Sequence, residues 1–128
     1  MDEMTSKRES DGSEDAFCYD EALELMGGDE ELLAEMVEIL MAQIPEAVES
    51  LRQAVEGQDA ARLNAQAHKL KGSVSSLGGK IVTRLAQTLE TKGGQGDLSN
   101  AASEFAELER EIARLQEAYT EFLAKVQA

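Results

Sequence analysis

The sequence predicts an all-α protein, an antiparallel four-helix bundle with a short extra N-terminal helix and a disordered N-terminal tail. Three observations carry that expectation. Helix formers dominate the 128 residues, aromatics are few, and Pro45 is the only proline. Apolar residues recur at three- and four-residue intervals over long segments, and no run of alternating β-branched residues reads as a strand. Glycine pairs and short polar turns separate the periodic segments. The length suits one domain, able to bury about two-thirds of the surface its unfolded chain exposes.

Residues 1–16 are polar and acidic without periodicity, so they are expected to form the tail ahead of a bundle spanning 17–128. Phe17 to Met26 predicts a short helix with Asp20 as N-cap, stopped by Gly27-Gly28. Asp29 is placed to cap a long helix with apolar positions Leu33, Met36, Val37, Leu40, Ile44, Val48, Leu51 and Val55, ended by Gly57. Pro45 lies inside it and lacks an N–H, so a kink or break is expected there. Asp59 caps the next helix, expected to run to about Leu77 and to stop at Gly78-Gly79. Its stripe is Leu63, Ala67, Leu70, Val74 and Leu77.

A shorter helix from Lys80 to Lys92 turns Val82, Leu85, Ala86 and Leu89 inward, and Gly93-Gly94-Gln95-Gly96 reads as a flexible turn. The last helix, from about Leu98 to Val126, places Phe105, Leu108, Ile112, Leu115, Tyr119, Phe122 and Val126 in heptad spacing. That spacing also suits a coiled-coil dimer or scaffold. With three other amphipathic helices on short turns, closure into a monomeric bundle is more economical.

Composition narrows the function. The net charge of −14 argues against a nucleic-acid ligand. No apolar run is long enough to cross a bilayer, and the charged N-terminus does not resemble a signal peptide. A single cysteine, Cys18, excludes an internal disulfide and fits a reducing compartment. A cytoplasmic location is therefore expected. From Arg62 to Lys92 the balance inverts, with six basic residues against Glu90 alone, a local +5 that leaves −19 on the rest. The inversion predicts a positive field around His68.

His68, the only histidine, is on the wrong side of its helix for the core. At the α-helical repeat it projects about 140° from the centre of the buried stripe. Its helical neighbours Ala61, Asn64, Ala65, Gly72 and Ser75 are all short. An imidazole on a solvated face ringed by small side chains is open to a macromolecular partner, which makes those neighbours a candidate docking face.

Other chemistries fit poorly. Ser73, Ser75 and Ser76 lie on the histidine's own helix, without the strained turn that a Ser-His-Asp nucleophile needs. A bundle metal centre needs two Glu-x-x-His motifs, and the residue three before His68 is Ala65. Neither Gly27-Gly28 nor Gly93-Gly94 matches a phosphate-cradling loop. Covalent chemistry on the imidazole remains: a neutral ring has one nucleophilic nitrogen, chosen by the hydrogen bond at the other. It can accept a phosphoryl group if cations offset the charge and the approach is clear. Lys71 lies one turn on, and Gly72 occupies the i+4 position where a side chain would cover the ring.

His68-Lys69-Leu70-Lys71-Gly72, continuing Ser73-Val74-Ser75-Ser76-Leu77-Gly78, resembles the signature of histidine-containing phosphotransfer (HPt) domains of bacterial and fungal phosphorelays. The likeness runs from about Tyr19 to the C-terminus and includes the Leu89-Glu90 pair on the following helix. It implies a phosphocarrier without ATP-binding site or turnover of its own, accepting a phosphoryl group at His68 Nε2. The donor would be a receiver-domain aspartate or a kinase, and another receiver aspartate the recipient. It further implies that Lys71 stabilises the phosphoryl group, that Gly72 leaves room for it, that Lys69 is a commonly basic position, and that Glu90 bonds Nδ1. The expected partners are response-regulator receiver domains and a hybrid sensor histidine kinase. No metal or cofactor is expected, Mg²⁺ belonging to the receiver's pocket. The alternative from the residues alone is a helical-bundle binding module that regulates a signalling partner without phosphorylation.

Overall fold

The computed structural model describes residues 15–127, so all but the last two residues of the expected acidic tail lie outside the described residues. Five helices follow in order: α1 (Tyr19–Leu25), α2 (Glu30–Glu56), α3 (Ala60–Ser75), α4 (Lys80–Gln95) and α5 (Ala101–Gln127). Helices α2 to α5 close a ring in which α2 packs on α3 and α5, and α4 on the same two. Short connections between successive helices make neighbours antiparallel, the four-helix architecture expected from the sequence.

Asp29 and Asp59 cap α2 and α3 as their sequence context predicts. Each carboxylate accepts the backbone N–H three residues on, from Leu32 and Arg62 respectively, at 3.0 Å. Asp20 does not cap α1: Cys18 holds the N-cap position, without a capping hydrogen bond from its side chain, and Asp20 lies in the first turn. The chain enters α1 under other constraints. Cys18 N–H donates to the carbonyl of Gly78 at 2.8 Å, and Phe17 packs edge-on against Tyr119 and Phe122. Gly78 takes φ +79°, and a Cβ there would lie 2.7 Å from the Cys18 carbonyl oxygen, so both the turn and the close approach require glycine.

α2 runs unbroken through Pro45. Its buried stripe contains Leu33, Val37, Leu40, Ile44 and Leu51 as expected, with Ala34 and Ala54 added. Met36, expected in the core, is 38% exposed. It lies with Leu32 and Ile39 on the outer flank of α2, and its neighbour Val37 takes the inward position. α3 ends at Ser75, two residues short of expectation, and Leu77 is buried in the turn that follows. On α5, six of the seven heptad residues, Phe105 to Phe122, are buried within the chain's own bundle. The buried Tyr119 hydroxyl donates to the Leu77 carbonyl at 2.8 Å, tying α5 to the α3–α4 turn. Burial pushes this phenol's pKa upward.

The largest departure concerns α4. It continues to Gln95, so Gly93 and Gly94 are helical and not part of a turn. The terminator is Gly96, left-handed at φ +72°, whose N–H returns to the Gly93 carbonyl. Gly93 is buried against α3, and that contact explains why the helix tolerates it.

Candidate functional site

Helices α3 and α4 meet along a polar seam. The inward stripe of α3, Leu63, Ala67, Leu70 and Val74, is buried in the core. Residues roughly 80° to 140° round the helix, among them Lys71, Asn64 and His68, therefore face α4 at the rim of that packing. His68 remains exposed, its side chain 68% accessible. Glu90 projects from α4 with its side chain only 17% accessible, and its Oε2 lies 2.8 Å from His68 Nδ1. A carboxylate can only accept, so Nδ1 carries the proton in this contact and the neutral ring presents a lone pair at Nε2. Nε2 has no partner among the described residues.

The other carboxylate oxygen, Oε1, is buried and faces the Lys71 ammonium at 2.7 Å, an ion pair without the directionality of a hydrogen bond. The Lys71 ammonium also donates to Gln87 Oε1 at 2.9 Å, and Gln87 Nε2 donates to Thr91 at 3.0 Å. Glu90 is thus held between a lysine and an imidazole. The Lys71 ammonium first, and then the His68 ring, hold its carboxyl below the usual carboxylate range.

Gly72 follows His68 on the same exposed face. A Cβ there would meet nothing within 4 Å, so the space is open to solvent and not filled by the protein. Ala61, Ala65 and Ser75 are exposed around the ring. Asn64, grouped with them on sequence as part of a docking face, is half-buried, and its amide donates to the Glu90 carbonyl at 2.7 Å. It belongs to the seam. Lys69 points to the opposite flank, where it borders a cavity of about 220 Å³ between α2 and α3.

The expected positive field is smaller than the sequence count suggests. Of its six cations, Lys71 pairs with Glu90, Lys80 with Glu21 at 2.9 Å, and Lys92 with Glu104. Glu90 already stands in the local window, whereas Glu21 from α1 and Glu104 from α5 are neutralisation that only the tertiary fold supplies. Two seam residues escape sequence reasoning. Gln87 lies three before Glu90, the spacing that puts both on one face of α4. Gly93 has the same spacing after it, but it reads as a terminator until its neighbour is known. Among the described residues no group of three His, Cys, Asp or Glu side chains is placed to hold a metal ion, and no helix is long and apolar enough to cross a membrane.

Comparison with known proteins follows the same lines as this geometry. The family model "Hpt domain" matches residues 35–118. The fold is similar to the crystal structure of histidine-containing phosphotransfer protein B (HptB) from Pseudomonas aeruginosa PAO1, at a TM-score of 0.79 and 22% identity, covering 86% of this chain and 96% of that one. It is similar also to the HPT domain of a sensor hybrid histidine kinase from Shewanella, at a TM-score of 0.80 and 25% identity, covering 88% and 97%. A search of curated proteins finds no match.

Proposed function

The chain belongs to the Hpt domain family, and on that premise we propose that it is a phosphorelay intermediate whose phosphoryl acceptor is His68. One observation carries the assignment: an exposed imidazole has Nδ1 held by the Glu90 carboxylate at 2.8 Å and Nε2 without a partner among the described residues. In the proposed step the Nε2 lone pair attacks the phosphorus of a receiver's aspartyl phosphate. The bond from phosphorus to the aspartate oxygen breaks, and the carboxylate leaves with the electron pair. The ring keeps its Nδ1 proton and becomes cationic, and Glu90, already negative and aligned, offsets that charge. Transfer to the next receiver is the reverse reaction with a different aspartate.

Gly72 supports the reading because the approach to the ring carries no side chain. Lys71 would stabilise the transferred group, and since its ammonium rests on Glu90 and Gln87, it must swing outward to do so. Lys69 would contribute to the surrounding field, and Ala61, Ala65 and Ser75 would let a receiver come close. Mg²⁺ is assigned to the receiver's aspartate pocket. The proposal includes a carrier without independent turnover, response-regulator receivers and a hybrid sensor kinase as partners, and a cytoplasmic monomer. Burial of the α5 heptad inside the chain's own core supports the monomer, and sedimentation at several concentrations tests it.

Incubation with a phosphorylated receiver should label the protein with an acid-labile, base-stable phosphoryl group. The label should be absent from His68→Gln. Labelling that persists in a folded His68→Gln variant would overturn the assignment.

A further inference from the structure

Glu90 is gripped at both ends. Its carboxylate meets His68 and Lys71, while its backbone carbonyl accepts from the Asn64 amide at 2.7 Å. Asn64 precedes His68 by four residues, so the two stand one turn apart on the same flank of α3 and touch the two ends of one residue on α4. The spacing between the helices at this level is set by Gly93, three residues after Glu90. A Cβ on Gly93 would lie 2.7 Å from the Asn64 backbone nitrogen and 2.9 Å from the Ala60 carbonyl oxygen. Both are backbone atoms and neither can step aside. A Cβ on Gly94 would lie 3.1 Å from the Asn64 Nδ2, the atom that makes the bond.

We infer that Asn64, seated on Gly93, is a positioning residue for phosphotransfer: it fixes the height of α4 against α3 so that Glu90 reaches Nδ1 and leaves Nε2 unprotonated. Rate effects rest on His68 being the phosphoryl acceptor; the effect on the ring's tautomer does not. A donor is required, since the target is a carbonyl. Aspartate at position 64 would set a second acceptor against it, and alanine would leave it without this bond. An unanchored α4 lets Glu90 drift from the ring, and an imidazole without a fixed acceptor at Nδ1 populates both neutral tautomers.

The test compares wild type, Asn64→Ala, Asn64→Asp and Glu90→Ala, with melting curves to establish folding. Nitrogen-15 NMR of unphosphorylated protein reads the tautomer at His68. Wild type should hold the Nδ1–H form, and both Asn64 variants should shift toward a mixture. Transfer from a saturating phosphorylated receiver should slow about two- to tenfold, the range of one hydrogen bond, while the half-saturating receiver concentration stays unchanged. Asn64→Ala added to Glu90→Ala should slow transfer no further, because Asn64 acts through Glu90. Gly93→Ala, buried beyond a partner's reach, should shift the tautomer the same way if it folds.

An unchanged tautomer in both Asn64 variants overturns the inference. So does a slowdown confined to the half-saturating concentration, which would return Asn64 to a docking face. If wild type accepts no phosphoryl group, the phosphorelay reading fails instead, and the tautomer comparison by itself upholds or overturns the positioning role.

Discussion

Along the flank that faces α4, α3 presents Asn64, His68 and Lys71 to a seam in which polar tips have named partners: the Glu90 carbonyl, Glu90 Oε2, and the pair Glu90 Oε1 and Gln87. Along the flank that faces α2, Gln66, Lys69 and Ser73 line an open cavity, and the Lys69 ammonium makes no ion pair among the described residues. The two lysines are two positions apart in sequence and about 200° apart on the helix. One rests on Glu90 and Gln87 beside the imidazole, and the other contributes charge to the surface. Lysine count near a histidine therefore says little about what each lysine touches, because the flank decides its partners.

The largest effect that separates structure from reactivity is expected at Gly72. Gly72→Gln adds a side chain where a Cβ meets nothing, so the bundle should stay folded and gain up to about 1 kcal/mol from helix propensity. Transfer should collapse through blocked access to the ring. A folded variant that transfers at the wild-type rate would remove steric clearance as the reason for this glycine.

Next comes the lysine comparison itself. If Lys71 holds the phosphoryl group as proposed, Lys71→Ala should remove a charge-assisted contact worth roughly 1.5–3 kcal/mol, or about ten- to a hundredfold in transfer. Lys69→Ala should slow transfer less and mainly at low salt, as expected of an exposed charge. Equal losses measured side by side would mean that the two flanks do not differ.

Glu90 sharpens the seam. Glu90→Gln keeps an acceptor for Nδ1–H through its amide oxygen but loses the charge, whereas Glu90→Ala loses both. Transfer should fall in the order wild type, Glu90→Gln, Glu90→Ala, without unfolding. An identical rate in all three would reduce Glu90 to a surface acid.

The smallest effect is on stability against pH. The Lys71 ammonium and the His68 ring hold the folded-state pKa of Glu90 below the usual carboxylate range, so its contribution is present above that range and is lost as pH falls through the folded-state value. The stability gap between wild type and Glu90→Gln, read from melting curves across pH, should therefore persist at neutral pH and close in acid. A gap that widened in acid would show that the carboxylate is not stabilised in the fold.

Much of this protein was legible in its residues. Apolar spacing located the helices, Asp29 and Asp59 marked two caps, and the angle between His68 and the Leu63–Leu77 stripe placed the ring on the exposed surface. Those features depend on residues within one turn of each other, and a linear pattern records them. Glu90 entered by resemblance alone, since nothing local links it to a residue 22 positions away.

Tertiary structure decided the rest. It made Gly93 a contact residue instead of a terminator, turned Asn64 inward, paired Lys71 with Glu90 and Gln87, and brought Glu21 and Glu104 to Lys80 and Lys92. Each of these depends on the register and separation of two helices. Register is set by how whole faces of side chains interdigitate, a property of paired surfaces that no single helix carries in its own spacing.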